Sequence, residues 1–432
     1  MNCIRTIVNH KRTKRRNDLA RRYEKAPSSR EGRLSLQLAL FNRCWQNTRR
    51  NVPFYAKMIH DGRAPEQFDD WGQFLACIPV VNRSFVQKNL GYLTDKSRPP
   101  EFYRITGGST AEPIQLPAWK SEILQTAPNA WLGRSWYNID PEDPMFMIWG
   151  HSHLLGSGLR GWINGKVRQI KDCFLGYTRF SAYDLSNDAL RNAADALKKS
   201  KAAYIYGYSV ALDRFAHVNQ NADFSDVRLK AVIATAEAFP FADSASRLAC
   251  LFGVPVAMEY GTIETGVIAH TRPKGGYGIF WFNYFLEALD EGLPGGRILR
   301  VTSLYPRCFP LLRYEIGDEV ESAKATIGIT SFPSVFGRLN DYIELKDGTY
   351  IHSEAISHSV KECSLVSAYQ MIQKGNDFTL WLIPKIKLNN EEVSKISKRL
   401  IKIHSDLAET KIKVTDKLKQ TKAGKTPMII RS

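Results

Sequence analysis

Cysteine is scarce and unpatterned in this sequence. Seven residues, at positions 3, 44, 77, 173, 250, 308 and 363, are spread over 432. Their odd number and the absence of any C-x-x-C pair exclude a disulfide scaffold and a cysteine-rich metal site, and leave reduced, structural thiols. Long apolar runs are also missing. The nearest, Ile279–Leu289, is broken by Asn283 and Glu287, and it falls short of the roughly 18–20 residues that span a bilayer. A secretory leader is not expected, because Arg5 sits where its apolar stretch would be and no small-residue cleavage site follows. The cytoplasm is therefore the expected compartment. Internal repeats and low-complexity tracts are absent, and the composition excludes disorder, collagen and coiled coil.

Acidic residues are the other shortage: 43 Asp and Glu stand against 60 Lys and Arg, a formal charge of +17. The excess is not spread evenly. Residues 1–34 carry eleven Lys/Arg against Asp18, Glu24 and Glu31, residues 385–432 carry thirteen against five acids, and the rest is close to neutral. A neutral body with two basic ends is not a uniformly basic nucleic-acid binder, and neither end interleaves the aromatics on which bases stack. No specific nucleic acid is expected as a partner. Peripheral membrane contact through the 1–34 arm stays open.

What is present is ample core material, 44% apolar and 11% aromatic residues, over a length that implies two or three domains or one large body with an appendage. Leu34, Leu38, Phe41 and Trp45 recur at helical spacing up to the break at Asn51-Val52-Pro53. From about 100 to 320, short apolar runs alternate with helical stretches: Met145–Trp149, Asp188–Lys199, Ala203–Tyr206, Ser209–Val218, Leu229–Ala234, Ala242–Phe252, Val256–Glu259. That alternation predicts α/β layers with parallel strands. Residues 276–320, rich in aromatic and β-branched types, predict an antiparallel, barrel-like portion. The last 90-odd residues read as a small α+β domain: Tyr342–Leu345, a turn at Asp347-Gly348, a helix near Ser353–Lys361, strands at 366–373 and 378–383, and a Lys-rich helix at 390–406.

Six short motifs carry candidate chemistry. Thr106-Gly107-Gly108-Ser109-Thr110-Ala111-Glu112-Pro113 follows the strand-like Phe102–Ile105, and small residues there let backbone N–H groups and hydroxyls close around phosphate oxygens. The Gly-Lys-Ser/Thr ending of a Walker loop is missing. Gly156-Ser157-Gly158-Leu159-Arg160-Gly161 matches G-x-G-x-x-G, but Trp162-Ile163-Asn164-Gly165 is a poor helix start for a dinucleotide site. His151 and His153 precede it without the rest of a metal ligand set. Tyr260-Gly261-Thr262-Ile263-Glu264 offers an aromatic face beside a glycine, with a carboxylate suited to Mg²⁺. Arg313-Tyr314-Glu315-Ile316-Gly317-Asp318 reads as a strand ending in a Gly-Asp turn. Gly337-Arg338-Leu339-Asn340-Asp341 and Thr421-Lys422-Ala423-Gly424-Lys425 complete the series. Singly, each also reads as an ordinary turn or solvated charge run; the order and spacing of the set are what stand out.

Taken together the set resembles the adenylate-forming superfamily of acyl-CoA synthetases, adenylation domains and luciferases, and within it the branch of phenylacetate–CoA ligase and the CapK-like proteins of capsular polysaccharide biosynthesis. The resemblance runs from about residue 35 to the end and includes Tyr206-Gly207-Tyr208-Ser209 and Thr235-Ala236-Glu237. It implies a large ATP- and acyl-binding domain at 35–337, a hinge at 338–340 and a small mobile domain at 341–432. It also implies that Ser109 and Thr110 hold the ATP phosphates, that Glu237 lines the adenine slot with Tyr260 against the base and Gly261 beside it, and that Thr262 lies near the α-phosphate. Glu264 would bind Mg²⁺, Asp318 the ribose, and Arg338 the ribose or phosphate; Lys425 would be the mobile catalytic lysine. His151, His153 and Tyr208 would border the acyl pocket. The implied reaction joins ATP and a small acid, aryl or amino, and passes the acyl group to a thiol or amine, with CoA one such acceptor. The chain departs from the family pattern at Ala111-Glu112, Ile263 and Asn340, and has no Cys/His cluster at 269–280. A degenerate, non-catalytic relative and a basic polyanion- or membrane-binding protein are the alternative readings.

Overall fold

The computed structural model describes residues 2–431 apart from 106–113, 151–157, 183, 240–242, 290–295, 322–324, 337–341, 349, 362, 364, 385, 387 and 420–427; the side chains of 2–5, 158–162, 336, 342, 350, 352, 354, 357, 358, 361 and 367 are also left aside.

The chain opens with helices α1 (Asn2–Glu24), α2 (Arg30–Asn51), α3 (Pro53–His60), α4 (Trp71–Cys77) and α5 (Arg83–Asn89). Ser29 caps α2 by accepting from Gly32 N at 3.0 Å, and Pro53 starts α3, where its missing N–H is harmless. The inward stripe of α2 is Gln37, Phe41, Trp45 and Thr48. Its aromatics join Tyr55, Phe68, Trp71 and Phe74 in one cluster, with Trp71 stacked on Phe285 at 3.6 Å between centroids.

The basic segment expected as an arm is mostly α1, a docked helix. Leu19 is buried, Arg12 donates to the Tyr177 hydroxyl at 3.0 Å, Arg16 pairs with Asp140, and Tyr23 meets Trp281 and Phe282 edge-on.

Strands β1 (Phe102–Ile105) and β2 (Gln115–Ala118) form a hairpin, followed by α6 (Lys120–Ser135), β3 (Met145–Ile148), α7 (Gly158–Leu175) and β4 (Tyr177–Phe180). Next come α8 (Asn187–Lys199), β5 (Tyr204–Tyr208), α9 (Ser209–Val218), β6 (Ala231–Thr235), α10 (Ser244–Phe252), β7 (Val256–Thr262), β8 (Gly266–Thr271) and β9 (Tyr277–Ile279). Helix α8 shows why such segments are helical: Ser186 caps it, and Leu190, Ala193, Ala194 and Leu197 line one buried face. Strand β6 is buried throughout, as a central parallel strand covered on both faces must be.

The remaining strands of the large body are β10 (Tyr284–Glu287), β11 (Gly296–Ser303), β12 (Tyr314–Glu321), β13 (Ser331–Phe332) and β14 (Val335–Phe336). The main sheet has eight strands in the order β13-β9-β8-β7-β6-β5-β3-β4. It is parallel from β4 to β7 and antiparallel beyond. The expected antiparallel portion is the four-stranded sheet β10-β11-β12-β14. Two details differ from expectation. A helix does follow the G-x-G-x-x-G run, but it opens at Gly158 inside the motif, and residues 149–157 separate it from β3. Gly317-Asp318 lies within β12 and is no terminal turn: Ile298 faces Glu319 while Arg300 faces Glu315, so β12 bulges there, with Gly317 at φ 85°.

The C-terminal residues build their own core from β15 (Tyr342–Glu344), β16 (Tyr350–His352), α11 (Ser353–Lys361), β17 (Val366–Lys374), β18 (Asp377–Pro384), α12 (Asn390–Ile403), a 3-10 turn at Ser405–Glu409, β19 (Lys411–Val414) and β20 (Ile429–Arg431). The sheet order is β19-β18-β17-β20.

The two layers near β12 are locked by one ion pair. Arg313, at φ 48°, bonds both oxygens of the fully buried Glu287 at 3.1 and 3.0 Å and donates to the carbonyls of Leu75 and Ile78 at 2.7 and 2.9 Å. Truncation of Arg313 to Ala strands a buried carboxylate and should cost about 3–5 kcal/mol, read as a lower urea midpoint. The double change Arg313→Met with Glu287→Gln, which removes both charges, should recover part of that loss.

Candidate active site

Ligand sites in α/β sheets lie at the carboxyl ends of parallel strands, and three of the sequence motifs meet at that edge. Strand β5 ends at Tyr208, β6 at Thr235 in register with it, and β7 at Thr262. At the β5 end, the Glu237 carboxylate accepts from Val210 N at 3.1 Å and its carbonyl accepts from the Ser209 hydroxyl at 2.7 Å. Glu237 thereby caps α9, where the orphan N–H groups and the helix dipole favour an anion. Ala236 before it is held at φ 74°. The Tyr208 hydroxyl donates to Gly150 O at 3.0 Å, and its ring lies 4.4 Å from Trp149, which also stacks on Tyr206 at 5.1 Å. These rings form an aromatic wall.

At the β7 end the chain reverses into β8 through Ile263-Glu264-Thr265. Thr262 N and Thr265 Oγ1 are 3.0 Å apart, and Thr265 N donates back to Thr262 Oγ1 at 3.3 Å. Gly261 is required by this hairpin: a Cβ there would stand 2.0 Å from Gly266 O. The bulge in β12 brings Asp318 to the Tyr260 hydroxyl, which donates to its Oδ2 at 3.0 Å. Four residues earlier on β12, the Tyr314 hydroxyl donates to Glu264 Oε1 at 3.3 Å. Tyr260, Gly261, Thr262, Glu264 and Asp318 are thus assembled in one place by two hydrogen bonds between the sheets.

Glu264 is buried, with Arg83 Nη1 3.9 Å from its carboxylate. Its carbonyl accepts from Arg104 at 3.3 Å and from Arg307. Both guanidiniums converge on Glu122, at 2.9 Å for Arg104 and 3.6 Å for Arg307, and the other oxygen of Glu122 accepts from Trp119 N at 3.0 Å and Cys308 N at 2.9 Å. Arg104 also borders an apolar cavity of about 250 Å³ with Ile123, Ala127, Ala130, Ile263 and Val267. Among the described residues, no group of three or more His, Cys, Asp or Glu is placed to share a metal. Glu264 as a single carboxylate still fits Mg²⁺, which is commonly held by one or two carboxylates together with water and substrate phosphate oxygens.

Behind the edge lies a second buried ion pair that the sequence did not announce. Arg134 of α6 donates to Glu259 at 2.6 Å, and the Tyr206 hydroxyl reaches the other oxygen at 3.3 Å. Burial alone would raise the Glu259 pKa, but the Arg134 guanidinium outweighs it and holds the carboxyl below its usual range. The Glu259–Arg134 pair has no local signal, since its partners lie 125 positions apart; for Glu122, an acid at the third position of α6, accepting from Trp119 N, is the nearest thing to a clue.

Ser109, Thr110, His151, His153, Arg338 and Lys425 lie outside the described residues. The segment carrying Lys425 is nevertheless bracketed: Lys419 makes two 2.9 Å bonds with the Gln370 side chain, and Met371 N donates to Met428 O at 2.8 Å. Both ends are therefore fixed to neighbouring residues of β17.

The C-terminal unit meets the large body at Arg214 of α9. Its guanidinium bonds Asp347 at 2.8 Å and Asn187 at 3.0 Å and lies 3.1 Å from His404 Nε2. Burial, then Arg214, lowers the His404 pKa against the opposing pull of Asp406 and Asp347. A His pKa lowered by folding gives stability that is complete above the unfolded value near 6.5 and is lost as pH falls through the folded value. The urea midpoint should therefore drop between about pH 7.5 and about pH 5.5. His404→Gln should flatten part of that drop; buried His270, whose pKa burial also lowers, contributes with the same sign.

Comparison with known proteins places this geometry in context. Residues 343–432 match the family model of the CapK C-terminal domain. No curated protein sequence matches the chain. Among solved structures, 2-hydroxyisobutyryl-CoA ligase in complex with 2-HIB-AMP and CoA in its thioesterification state is similar with a TM-score of 0.61 at 16% identity, over 94% of this chain and 91% of that one. The same ligase in its postadenylation state with 2-HIB-AMP gives 0.57 at 16% identity, over 94% and 91%. At that identity the likeness establishes the fold of an adenylate-forming ligase.

Proposed function

We propose that this chain, which has the fold of an adenylate-forming ligase and a CapK C-terminal domain at 343–432, activates a small carboxylic acid with ATP and transfers the acyl group to a thiol or amine. The observation that carries the reading is the Tyr260–Asp318 bond formed beside Glu264 at the carboxyl edge of the sheet. It brings the Tyr260 ring and the carboxylates of Asp318 and Glu264 within one hairpin and one bulge, which supports reading Asp318 as the ribose ligand and Glu264 as the metal ligand. Proteins of similar fold are solved with an acyl-adenylate and CoA, which supports both half-reactions. The domain division follows the same reading: 35–337 as the large body, 338–340 as hinge, 341–432 as the small domain.

In the first step an acid oxygen attacks the α-phosphorus of ATP, the bond to the bridging oxygen breaks, and pyrophosphate leaves. In the second, the acceptor sulfur or nitrogen attacks the acyl carbon, AMP leaves, and the acceptor proton is released. The first barrier is mainly the approach of two anions. Asp318 with Tyr260 orients ribose and base, Glu237 and Ala236 border the adenine, and Thr262, Ser109 and Thr110 offer hydroxyls to the phosphates. Mg²⁺ on Glu264 would supply positive charge to the polyphosphate. Arg338 and Lys425 add cations. The aromatic wall of Trp149, Tyr206 and Tyr208 favours an aryl acid, and His151 and His153 are assigned to the same pocket by the family resemblance alone. Mg²⁺ use, CoA as acceptor, and a role in cell-surface polysaccharide synthesis belong to this proposal.

The test is acid-dependent ATP–pyrophosphate exchange over a panel of aryl, amino and short-chain acids. A responding acid should be found, and Lys425→Ala should lower its exchange rate by roughly two to three decades, the effect of removing one transition-state donor worth about 3–4 kcal/mol. No exchange with any acid, together with no ATP binding, would overturn the reading and favour the non-catalytic relative.

A further inference from the structure

Four apolar residues of helix α7 lie on the wrong side for a core helix. Among its described side chains Asp172 is the buried one, held by Arg179 of β4 at 2.7 and 2.9 Å. At about 100° per residue, Ile163, Val167, Ile170 and Phe174 all fall within about 40° of the opposite direction. They are 46, 44, 56 and 36% exposed, a continuous stripe along about three turns. Lys166 and Lys171 project on either side of it. Single exposed apolar residues are ordinary; an ordered stripe facing away from the body marks a contact surface.

The surroundings identify the partner. Helix α1 runs beside α7, and Arg12 ties it to Tyr177, two residues beyond the end of α7. The inward side of α1 is spent on that docking, while Ile7, Lys11, Lys14 and Arg15 remain exposed. An apolar stripe flanked by lysines and set next to a basic helix is the pattern of an interfacial helix, with apolar side chains in the acyl boundary and cations at anionic headgroups. A second protein copy would bring the same positive charge to face itself. We propose that the outer face of α7 with α1 docks on an anionic lipid surface.

The test uses the full chain and sedimentation with vesicles of phosphatidylcholine alone or mixed with phosphatidylglycerol. Wild type should bind the mixed vesicles and not the neutral ones. The double variant Ile170→Ser/Phe174→Ser keeps the net charge, so its partitioning should fall on the order of tenfold or more through lost apolar insertion, at an unchanged melting temperature. Lys166→Gln/Lys171→Gln should weaken binding several-fold at low salt and little at high salt. Ile170→Trp should shift its emission to the blue on mixed vesicles and be quenched by brominated lipid. Three results would overturn the proposal: no binding by wild type; equal binding by the serine variant, which would make it charge alone; or a dimer in lipid-free solution that the serine variant dissolves, which would make the stripe a subunit interface. None of these readouts depends on adenylation.

Discussion

The buried carboxylate of Glu122 is the constraint around which the candidate site is built. It gathers Arg104, Arg307, the N–H of Trp119 and the N–H of Cys308, and both arginines then donate to the carbonyl of Glu264. A carboxylate fully removed from water is costly unless paired and hydrogen-bonded, and here two guanidiniums and two backbone amides surround it. Such an arrangement adds little net stability over a packed apolar substitute. What it does is fix positions: the β1 strand that leads to Ser109 and Thr110, the start of α6, the 307–309 segment and the turn bearing Glu264 are all referred to one point.

The second requirement is that two sheets of different kind stay in register. The parallel half of the main sheet delivers strand ends, and the antiparallel sheet delivers Asp318 and Tyr314. Strand β12 reaches the hairpin twice, through Tyr260–Asp318 and Tyr314–Glu264. It can do so because the Gly317 bulge changes the local pleat between the two, while Arg313 and Glu287 hold the start of β12 against α4. The motif from Arg313 to Asp318 therefore mixes an anchor, a hydroxyl donor, a backbone device and the carboxylate that accepts from Tyr260 in six residues.

This explains what could be read in the sequence. The alternation from Met145 to Glu259, helix α2 and the C-terminal α+β unit were legible because each rests on local periodicity and on caps such as Ser186 and Asn389. The residues Tyr260, Gly261, Thr262, Glu264 and Asp318 were legible because they sit in short motifs. Glu122, Arg134 and Arg307 were not, since a lone charged residue carries no mark of which distant residue will pair with it, whether Arg104 for Glu122 or Glu259 for Arg134. Gly317-Asp318 reads as a turn by composition, and only the pairing of β11 with β12 turns it into a bulge. Trp162-Ile163-Asn164-Gly165 reads as a poor helix start because of its composition, yet α7 runs from Gly158 to Leu175, since local propensity is only a weak guide to where a helix forms.

The excess positive charge divides along the same lines. On α1, Arg12 and Arg16 are neutralised or bonded where the helix docks, while Arg22 lies over the Phe282 ring at 4.5 Å. Lys11, Lys14 and Arg15 face outward. At the other end, Lys411, Lys413, Lys417 and Lys419 lead up to the point where Lys419 bonds Gln370. A net charge of +17 is thus the sum of unrelated local demands. Charges within a Debye length of about 8–10 Å act together and those farther apart do not, so the physical content of the excess lies in which face each cation occupies. The basic face beside the exposed stripe of α7 can attract a surface, whereas the arginines around Glu122 and Glu264 are consumed in holding a carboxylate and a turn in place.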